Sequence, residues 1–128
     1  MQTNSETQPR TFSFRGRISS IRFALEGIRR FFSEEHNAWI HLAATITVFF
    51  SAWWFRTSAP EKIALVVVVG LVWIAEIFNT AIERLADLVE PGFHPTIKLI
   101  KDLAAAAVLL AAIIAVITGA FIFIPKLF

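Results

Sequence analysis

Three long apolar stretches limit what this chain can fold into. They run from about residue 37 to 55, from 62 to 88 and from 96 to 124. Each can supply roughly 20 residues of membrane-spanning helix. Their apolar residues do not alternate as those of barrel strands do, and a helix is the other structure that satisfies its own backbone groups in lipid. The sequence therefore predicts an all-α integral membrane protein with three transmembrane helices.

Composition agrees with a membrane protein and excludes several other classes. Of the 128 residues, 56% are hydrophobic and only 17% are charged, which is far from the balance of a soluble domain. The chain has no cysteine, so disulfides, a thiolate nucleophile and a cysteine metal site are excluded. A net charge of +2 is too small to indicate a nucleic-acid partner. We expect a flexible tail over residues 1–11, without the apolar core of a secretory signal, and a single domain over 12–128.

A fourth helix is predicted before the apolar stretches, over residues 17–32. Apolar residues recur there at helical spacing, accompanied by arginines. This pattern is typical of an amphipathic helix lying in the membrane surface. A helix of the soluble type, packed on the others, is the alternative. The apolar positions are Ile18, Ile21, Leu25, Ile28 and Phe32.

The distribution of basic residues predicts the orientation in the membrane. Polar connectors over 56–61 and 90–95, each containing proline, separate the three stretches. The amino-terminal segment and the second connector region together hold nine lysines and arginines, against three on the other side. Since cytoplasmic loops carry the excess of basic residues, we expect the amino terminus and the second connector in the cytoplasm, and the protein in the inner membrane.

Four polar side chains lie on one face of the second apolar helix. Glu76, Asn79, Glu83 and Asp87 follow one another at steps of three, four and four residues. Carboxylates inside such a segment are costly and usually functional. Mg²⁺ prefers oxygen ligands of this kind together with phosphate oxygens, and a carboxylate in apolar surroundings suits a general base. The alternative is a polar seam that holds helices together.

The third helix begins with a second group of polar residues. Lys98, Lys101, Asp102 and Ala105 share a face, and Lys101 is placed to meet a phosphate as a point charge. The alternative for Lys101 is a lysine that extends from the membrane into water. The sequence has no Gly-rich phosphate loop, so a phosphotransferase here is not built on a standard nucleotide-binding fold. Glu35, before the first apolar stretch, is a further candidate metal ligand or a solvated charge at a helix end.

These segments resemble the prokaryotic diacylglycerol kinase family, which includes the undecaprenol kinases. The most specific match is the run from Glu76 to Glu83, with its Glu, Asn, Ala-Ile and Glu at the family's positions. His94-Pro95 and Lys101-Asp102 follow in the family's order, before an Ala-rich third helix. The resemblance covers residues 13 to 124. It implies a small homotrimeric membrane enzyme that transfers the γ-phosphate of ATP to a membrane lipid alcohol.

The same resemblance implies roles for single residues. Glu76 is the expected general base, Asn79 and Ala105 are expected beside the lipid substrate, and Glu35 and Glu83 are expected to hold the divalent metal, Mg²⁺. Lys101 is expected to bind the phosphates of ATP. The residues expected to contact ATP are Arg17, Phe23, Glu35, Glu83, Gly92, Phe93, His94, Lys101 and Asp102.

Some positions depart from the best-known diacylglycerol kinases. Ala105 replaces a serine and Phe23 a tyrosine, and Arg22 competes with Arg17 for the contact with ATP. The sequence leans toward the undecaprenol kinases and leaves undecaprenol and diacylglycerol open as acceptors. Two other classes of function compete: a small transporter or channel that uses Glu76 and Glu83 as ion sites, and a non-catalytic membrane subunit.

Overall fold

The structure, a computed structural model, describes residues 14–128, with side chains from residue 16 onward, and over this range the chain is all-α as predicted. The expected tail over 1–11 lies outside the described residues. The chain divides into two compact units, the first ending at Glu35 and the second comprising His36–Phe128. The prediction of one domain over 12–128 stays a prediction.

The helices are α1 (Phe14–Glu34), α2 (His36–Trp54), α3 (Ala59–Val89) and α4 (Pro95–Phe123), followed by a 3₁₀ turn (Ile124–Lys126).

Helix α1 contains the whole of the predicted amphipathic segment. Its apolar side chains Ile18, Ile21 and Leu25 are exposed, while Arg30 and Glu26 form an exposed ion pair one turn apart. A contiguous exposed apolar stripe on a charged helix is what a membrane surface accommodates. Its position on the membrane stays a prediction.

The turn between α2 and α3 is set by backbone hydrogen bonds. The Thr57 N–H donates to the Ala52 carbonyl at 3.1 Å and the Arg56 N–H donates to the Trp53 carbonyl at 3.2 Å. These bonds satisfy carbonyls that the end of α2 leaves unpaired. Arg56 adopts φ 48°, the left-handed conformation that usually calls for glycine.

Helix α3 begins with a capping box. The Ser58 hydroxyl accepts from the Glu61 N–H, and the Glu61 carboxylate accepts from the Ser58 N–H at 2.6 Å. Pro60 occupies the first turn, where its missing N–H costs nothing. Lys126, beyond α4, forms an ion pair with Glu61 at 3.0 Å, which ties the end of the chain to the start of α3.

Helices α3 and α4 are long and apolar enough to cross a membrane, over Ala59–Val89 and Pro95–Lys126. Only 22% and 11% of their most apolar windows are buried, whereas the core helix of a soluble protein would be mostly buried. Helix α2 has no Asp, Glu, Lys or Arg and, at 19 residues, measures about 28 Å. It does not reach the same hydropathy, since it carries histidines, an asparagine, threonines and tryptophans.

The buried core lies where α2, α3 and the end of α4 meet. Leu65 is 1% exposed and packs with Ala52 and Ile122. The small side chain of Ala52 lets α2 approach α3 closely. This core stabilises the end of the second unit that lies far from Glu76. From this core to the α3–α4 connector, α3 and α4 pack against each other.

Candidate functional site

The predicted polar face of α3 is partly buried inside the second unit. Glu76 is 3% exposed and Asn79 is 9% exposed. Both are polar side chains among the apolar residues of a helix that is apolar enough to cross a membrane. Glu83 is half-buried and Asp87 is exposed, so burial decreases toward the carboxyl end of the helix. Glu76 and Asp87 are about 16 Å apart along the helix axis. The face thus joins a buried carboxylate to the α3–α4 connector.

Asn79 has one satisfied and one unsatisfied polar atom. Its Nδ2 donates to Glu83 Oε1 at 3.1 Å. Its Oδ1 is buried and has no hydrogen-bond partner among the described residues. A buried amide oxygen without a donor is unfavourable and is rare in native proteins. Within the described residues, Asn79 Oδ1 is therefore an acceptor that remains available.

Glu76 faces His41 of α2. The distance from His41 Nε2 to Glu76 Oε2 is 3.8 Å, within the range of an ion pair. One turn from each of these residues, Trp73 Nε1 donates to Thr45 Oγ1 at 2.9 Å. The Thr45 hydroxyl itself donates to the His41 carbonyl at 2.7 Å. These contacts join α2 to α3 at the level of the buried carboxylate.

Two ion pairs lie at the connector end of the site. Lys101 Nζ of α4 donates to Asp87 Oδ1 of α3 at 2.9 Å. Lys98 pairs with Asp102, one turn along α4. The structure thus brings Lys101 to α3, while Asp102, which was expected to act beside Lys101, pairs with Lys98.

A cavity of about 330 Å³ opens between the ends of α3 and α4. It contains a group of the residues predicted to contact ATP, together with four residues for which no contact with ATP was predicted: Asp87, Glu90, Ile97 and Lys98. Charged groups of both signs and an exposed aromatic ring thus surround one space. The lining residues are Asp87, Glu90, Gly92, Phe93, His94, Ile97, Lys98, Lys101 and Asp102.

The connector that forms one wall of this cavity is shaped by its own side chains. Glu90 Oε1 accepts from the Gly92 N–H at 3.1 Å. A Cβ at Gly92 would lie 3.1 Å from the same oxygen, so the close approach favours glycine. His94 caps α4, since its Nδ1 accepts from the Thr96 N–H at 3.2 Å. Its other ring nitrogen remains for a ligand.

Three of the predicted residues belong to the first unit and are described by themselves. Arg17 and Phe23 are exposed on α1, and the guanidinium of Arg22 lies 5.5 Å from the centre of the Phe23 ring. This cation–π contact involves the arginine that competes with Arg17. Glu35 directly follows α1 and is half-buried.

The expected metal and substrate residues are placed less completely. Among the described residues there is no group of three or more His, Cys, Asp or Glu side chains that could hold a metal ion. Glu83 presents a half-buried carboxylate, of which one oxygen accepts from Asn79. Ala105 is exposed on α4, whereas its neighbour Ala104 is buried.

An apolar groove starts at His41 and runs between α2, α3 and α4. Its volume is about 260 Å³. Small side chains of α4 and the backbone of Gly119 keep it open, and Thr45, Trp73 and His41 supply its polar atoms. The lining residues are His41, Ala44, Thr45, Val48, Val69, Val72, Trp73, Ala112, Ala115, Val116, Gly119 and Phe123.

The sequence analysis included Asp87 in the polar face without a role of its own and did not count His41 among the site residues, whereas the structure places both in the site. Asp87 lies on the predicted polar face, and its spacing was a usable signal. His41 lies 35 positions before Glu76, and no local spacing connects them. Only the packing of α2 on α3 brings the two side chains together.

Comparison with known proteins places this helical membrane protein and its polar site in a family. The sequence model of the prokaryotic diacylglycerol kinases matches residues 22–123. The chain is 38% identical over 111 residues to a diacylglycerol kinase from Synechocystis sp., covering 86% of this chain and 63% of that protein's length. It is 37% identical over 110 residues to an undecaprenol kinase from Bacillus subtilis, covering 86% and 89%. It is 33% identical over 115 residues to a diacylglycerol kinase from Escherichia coli strain K12, covering 84% and 88%.

These matches define the class as lipid kinases. The chain belongs to the prokaryotic diacylglycerol kinase family, which confirms the resemblance seen in the sequence. The relatives include enzymes named for two different lipid acceptors, diacylglycerol and undecaprenol.

Proposed function

We propose that this protein transfers the γ-phosphate of ATP to the hydroxyl group of a membrane lipid alcohol, either diacylglycerol or undecaprenol. The observation that carries the proposal is the pair of polar side chains inside an apolar helix. Glu76 is buried, and Asn79 Oδ1 has no donor among the described residues. A lipid hydroxyl can donate its single proton to Asn79 Oδ1 when it binds, and must then turn that proton toward a base for transfer. Family membership favours this function over a transporter or a non-catalytic subunit.

In the proposed mechanism Glu76 accepts the proton of the lipid hydroxyl while the lipid oxygen attacks the γ-phosphorus of ATP, the bond from that phosphorus to the β–γ bridging oxygen breaks, and ADP leaves. Asn79 positions the hydroxyl. Phosphoryl transfer depends mainly on positioning and charge stabilisation, so few further groups are needed. The apolar groove is suited to the apolar tail of the lipid, because its His41 end lies next to the proposed base.

ATP is proposed to bind in the cavity between the ends of α3 and α4, with Lys101 on its phosphates. Asp87 holds the Lys101 ammonium in place. Phe93 and His94 lie in the same cavity, where a ring can stack on a base and a ring nitrogen can donate or accept. We propose that Asp102 and Gly92 line the nucleotide there, and that Arg17 and Phe23 contribute from α1.

A magnesium ion held jointly with ATP is part of the proposal, because the chain offers carboxylate oxygens of the kind that Mg²⁺ prefers. Mg²⁺ commonly takes one or two protein carboxylates and completes its octahedron with phosphate oxygens and water. Glu83 and Glu35 are the proposed ligands, and hydrogen bonding by Asn79 orients the Glu83 carboxylate. When bound, the ion neutralises negative charge on the phosphates.

We further propose a homotrimer in the inner membrane with a cytoplasmic amino terminus and α2 as a third span. Most large apolar side chains of α2, α3 and α4 are exposed in the single chain. Lipid and neighbouring copies would cover them. The charge distribution supports the orientation.

The test is ATP-dependent phosphorylation by the purified protein in mixed micelles with Mg²⁺, offering undecaprenol and diacylglycerol side by side. We expect transfer to one of them, reduced at least 100-fold by Glu76→Gln. The matched control is Glu61→Gln on the same helix, because glutamine also serves in a capping box and that carboxylate lies at the other end of α3. Full activity of Glu76→Gln would exclude Glu76 as the base, and no transfer to either lipid would refute the proposed acceptor class.

A further inference from the structure

His41 is the charged or titratable side chain nearest to Glu76 among the ion pairs of the described residues. Its Nε2 lies 3.8 Å from Glu76 Oε2, and both groups are largely withdrawn from solvent. The carboxylates farther along α3 have other partners, since Glu83 accepts from Asn79 and Asp87 accepts from Lys101 of α4. The other basic residue at that end of α4, Lys98, pairs with Asp102.

The position of the His41 ring is fixed from two helices. Trp73 lies one turn before Glu76, and its ring meets that of His41 edge-on, with centroids 6.2 Å apart. The Trp73 N–H donates to Thr45, whose hydroxyl donates to the backbone of His41. These contacts restrict rotation of both rings. A hydrogen-bonded link thus joins α2 to α3 at the level where the imidazole meets the carboxylate, and the Trp73 ring limits where the imidazole can lie.

A buried carboxylate needs a compensating group to stay ionised. An imidazole N–H directed at the carboxylate provides one when neutral, and a full positive charge provides more when protonated. At 3.8 Å the contact is longer than a hydrogen bond and acts through electrostatic attraction. Such an attraction also selects which carboxylate oxygen turns toward His41 and which remains available to substrate.

We propose that His41 is a positioning residue for Glu76: it orients the carboxylate and stabilises the ionised form that accepts the proton of the lipid hydroxyl. The inference rests on the proposed function of Glu76. It goes beyond the place of His41 in the groove proposed for the lipid tail, because here His41 acts on the reaction through Glu76.

The proposal predicts a specific pH dependence. Without His41 the buried Glu76 carboxylate loses a nearby group that compensates its charge, so the variant is expected to lose most activity where protons compete for that carboxylate. The acid limb of kcat/KM for the lipid is therefore expected to move to higher pH in His41→Leu. The expected loss of kcat/KM in this variant is about tenfold on the acid limb and disappears at high pH.

The experiment measures kcat/KM against pH for the wild type, His41→Leu and His41→Gln in the same micelles. His41→Gln keeps an N–H donor near the carboxylate, so its acid limb is expected between those of the wild type and His41→Leu. The control is Thr47→Val, which removes an exposed hydroxyl bonded only to the Ala43 carbonyl on the same helix. The control profile is expected to match the wild type.

Two results overturn the proposal: an unchanged profile in His41→Leu, or a loss of equal size at every pH, which marks a merely structural role. If His41→Leu does not fold, His41→Gln decides by the same criteria. A second readout does not depend on activity. The infrared carbonyl band of protonated Glu76, assigned by its absence in Glu76→Gln, must emerge at higher pH in His41→Leu. An inactive wild type refutes the proposed function, whereas the infrared titration still decides the contact between His41 and Glu76.

Discussion

Replacing Asn79 by leucine separates a role in substrate binding from a role in holding the helices together. Asn79 is 9% exposed, makes one hydrogen bond through Nδ2 and leaves Oδ1 without a donor among the described residues. Leucine has a similar volume and removes both polar atoms. The substitution therefore removes one existing hydrogen bond and one unsatisfied acceptor at the same time.

The two effects on stability nearly cancel. Loss of the hydrogen bond to the Glu83 carboxylate costs about 1.5–3 kcal/mol, and removal of a buried unsatisfied acceptor gains about 1–3 kcal/mol. Glu83 is only half-buried, so water can replace the lost donor. We expect the free energy of unfolding to change by less than about 1.5 kcal/mol. Kinase activity, in contrast, is expected to fall on the order of 100-fold, because the lipid hydroxyl loses its acceptor.

The opposite perturbation is Asn79→Asp. It places a second carboxylate at the 3.1 Å distance that now separates Asn79 Nδ2 from Glu83 Oε1. With an effective dielectric constant of about 20, two unit charges at that distance repel by about 5 kcal/mol. The pair must share a proton or move apart, so this variant is expected to lose both stability and activity.

Stability is measured by denaturation with SDS in mixed micelles, and activity by phosphate transfer at saturating ATP. The reasoning fails if Asn79→Leu loses more than about 3 kcal/mol while Asn79→Asp is tolerated, since that pattern would mean that both amide atoms hold the helices together. Wild-type activity in Asn79→Leu would equally remove the residue from the site.

Three further predictions follow from single contacts. Lys101→Met removes the ammonium that Asp87 holds at the nucleotide cavity, and we expect KM for ATP to rise roughly tenfold with little change in unfolding; an unchanged KM would exclude Lys101 from the phosphates. Ser58→Ala deletes the hydroxyl that caps α3 and is expected to cost about 1 kcal/mol of unfolding free energy without loss of activity. Arg56→Gly relieves a left-handed conformation at φ 48° and is expected to stabilise the protein by about 0.5 kcal/mol, as measured by the midpoint of SDS denaturation; a clear destabilisation would show that the arginine side chain makes a contact that outweighs the strain.

Local pattern was enough to predict the helices. Apolar runs of about 20 residues leave few alternatives, and the proline-containing connectors mark the ends, so the predicted stretches agree with α2, α3 and α4 within a few residues. The polar face of α3 was equally readable, because helical spacing alone puts Glu76, Asn79 and Glu83 on one side. Lys101 was predicted to be a phosphate ligand from its type, and its partner Asp87 was not predicted because it lies on another helix.

The sequence by itself thus determined the all-α class, the apolar helices, the buried polar face and the family, because these depend on composition and on spacing within single segments. Tertiary structure decided which side chains meet. It brought His41 to Glu76 across α2 and α3, paired Lys101 with Asp87 and Asp102 with Lys98, and left Asn79 Oδ1 without a partner among the residues described. Such contacts depend on how helices are rotated and packed, and no spacing along one helix encodes that rotation.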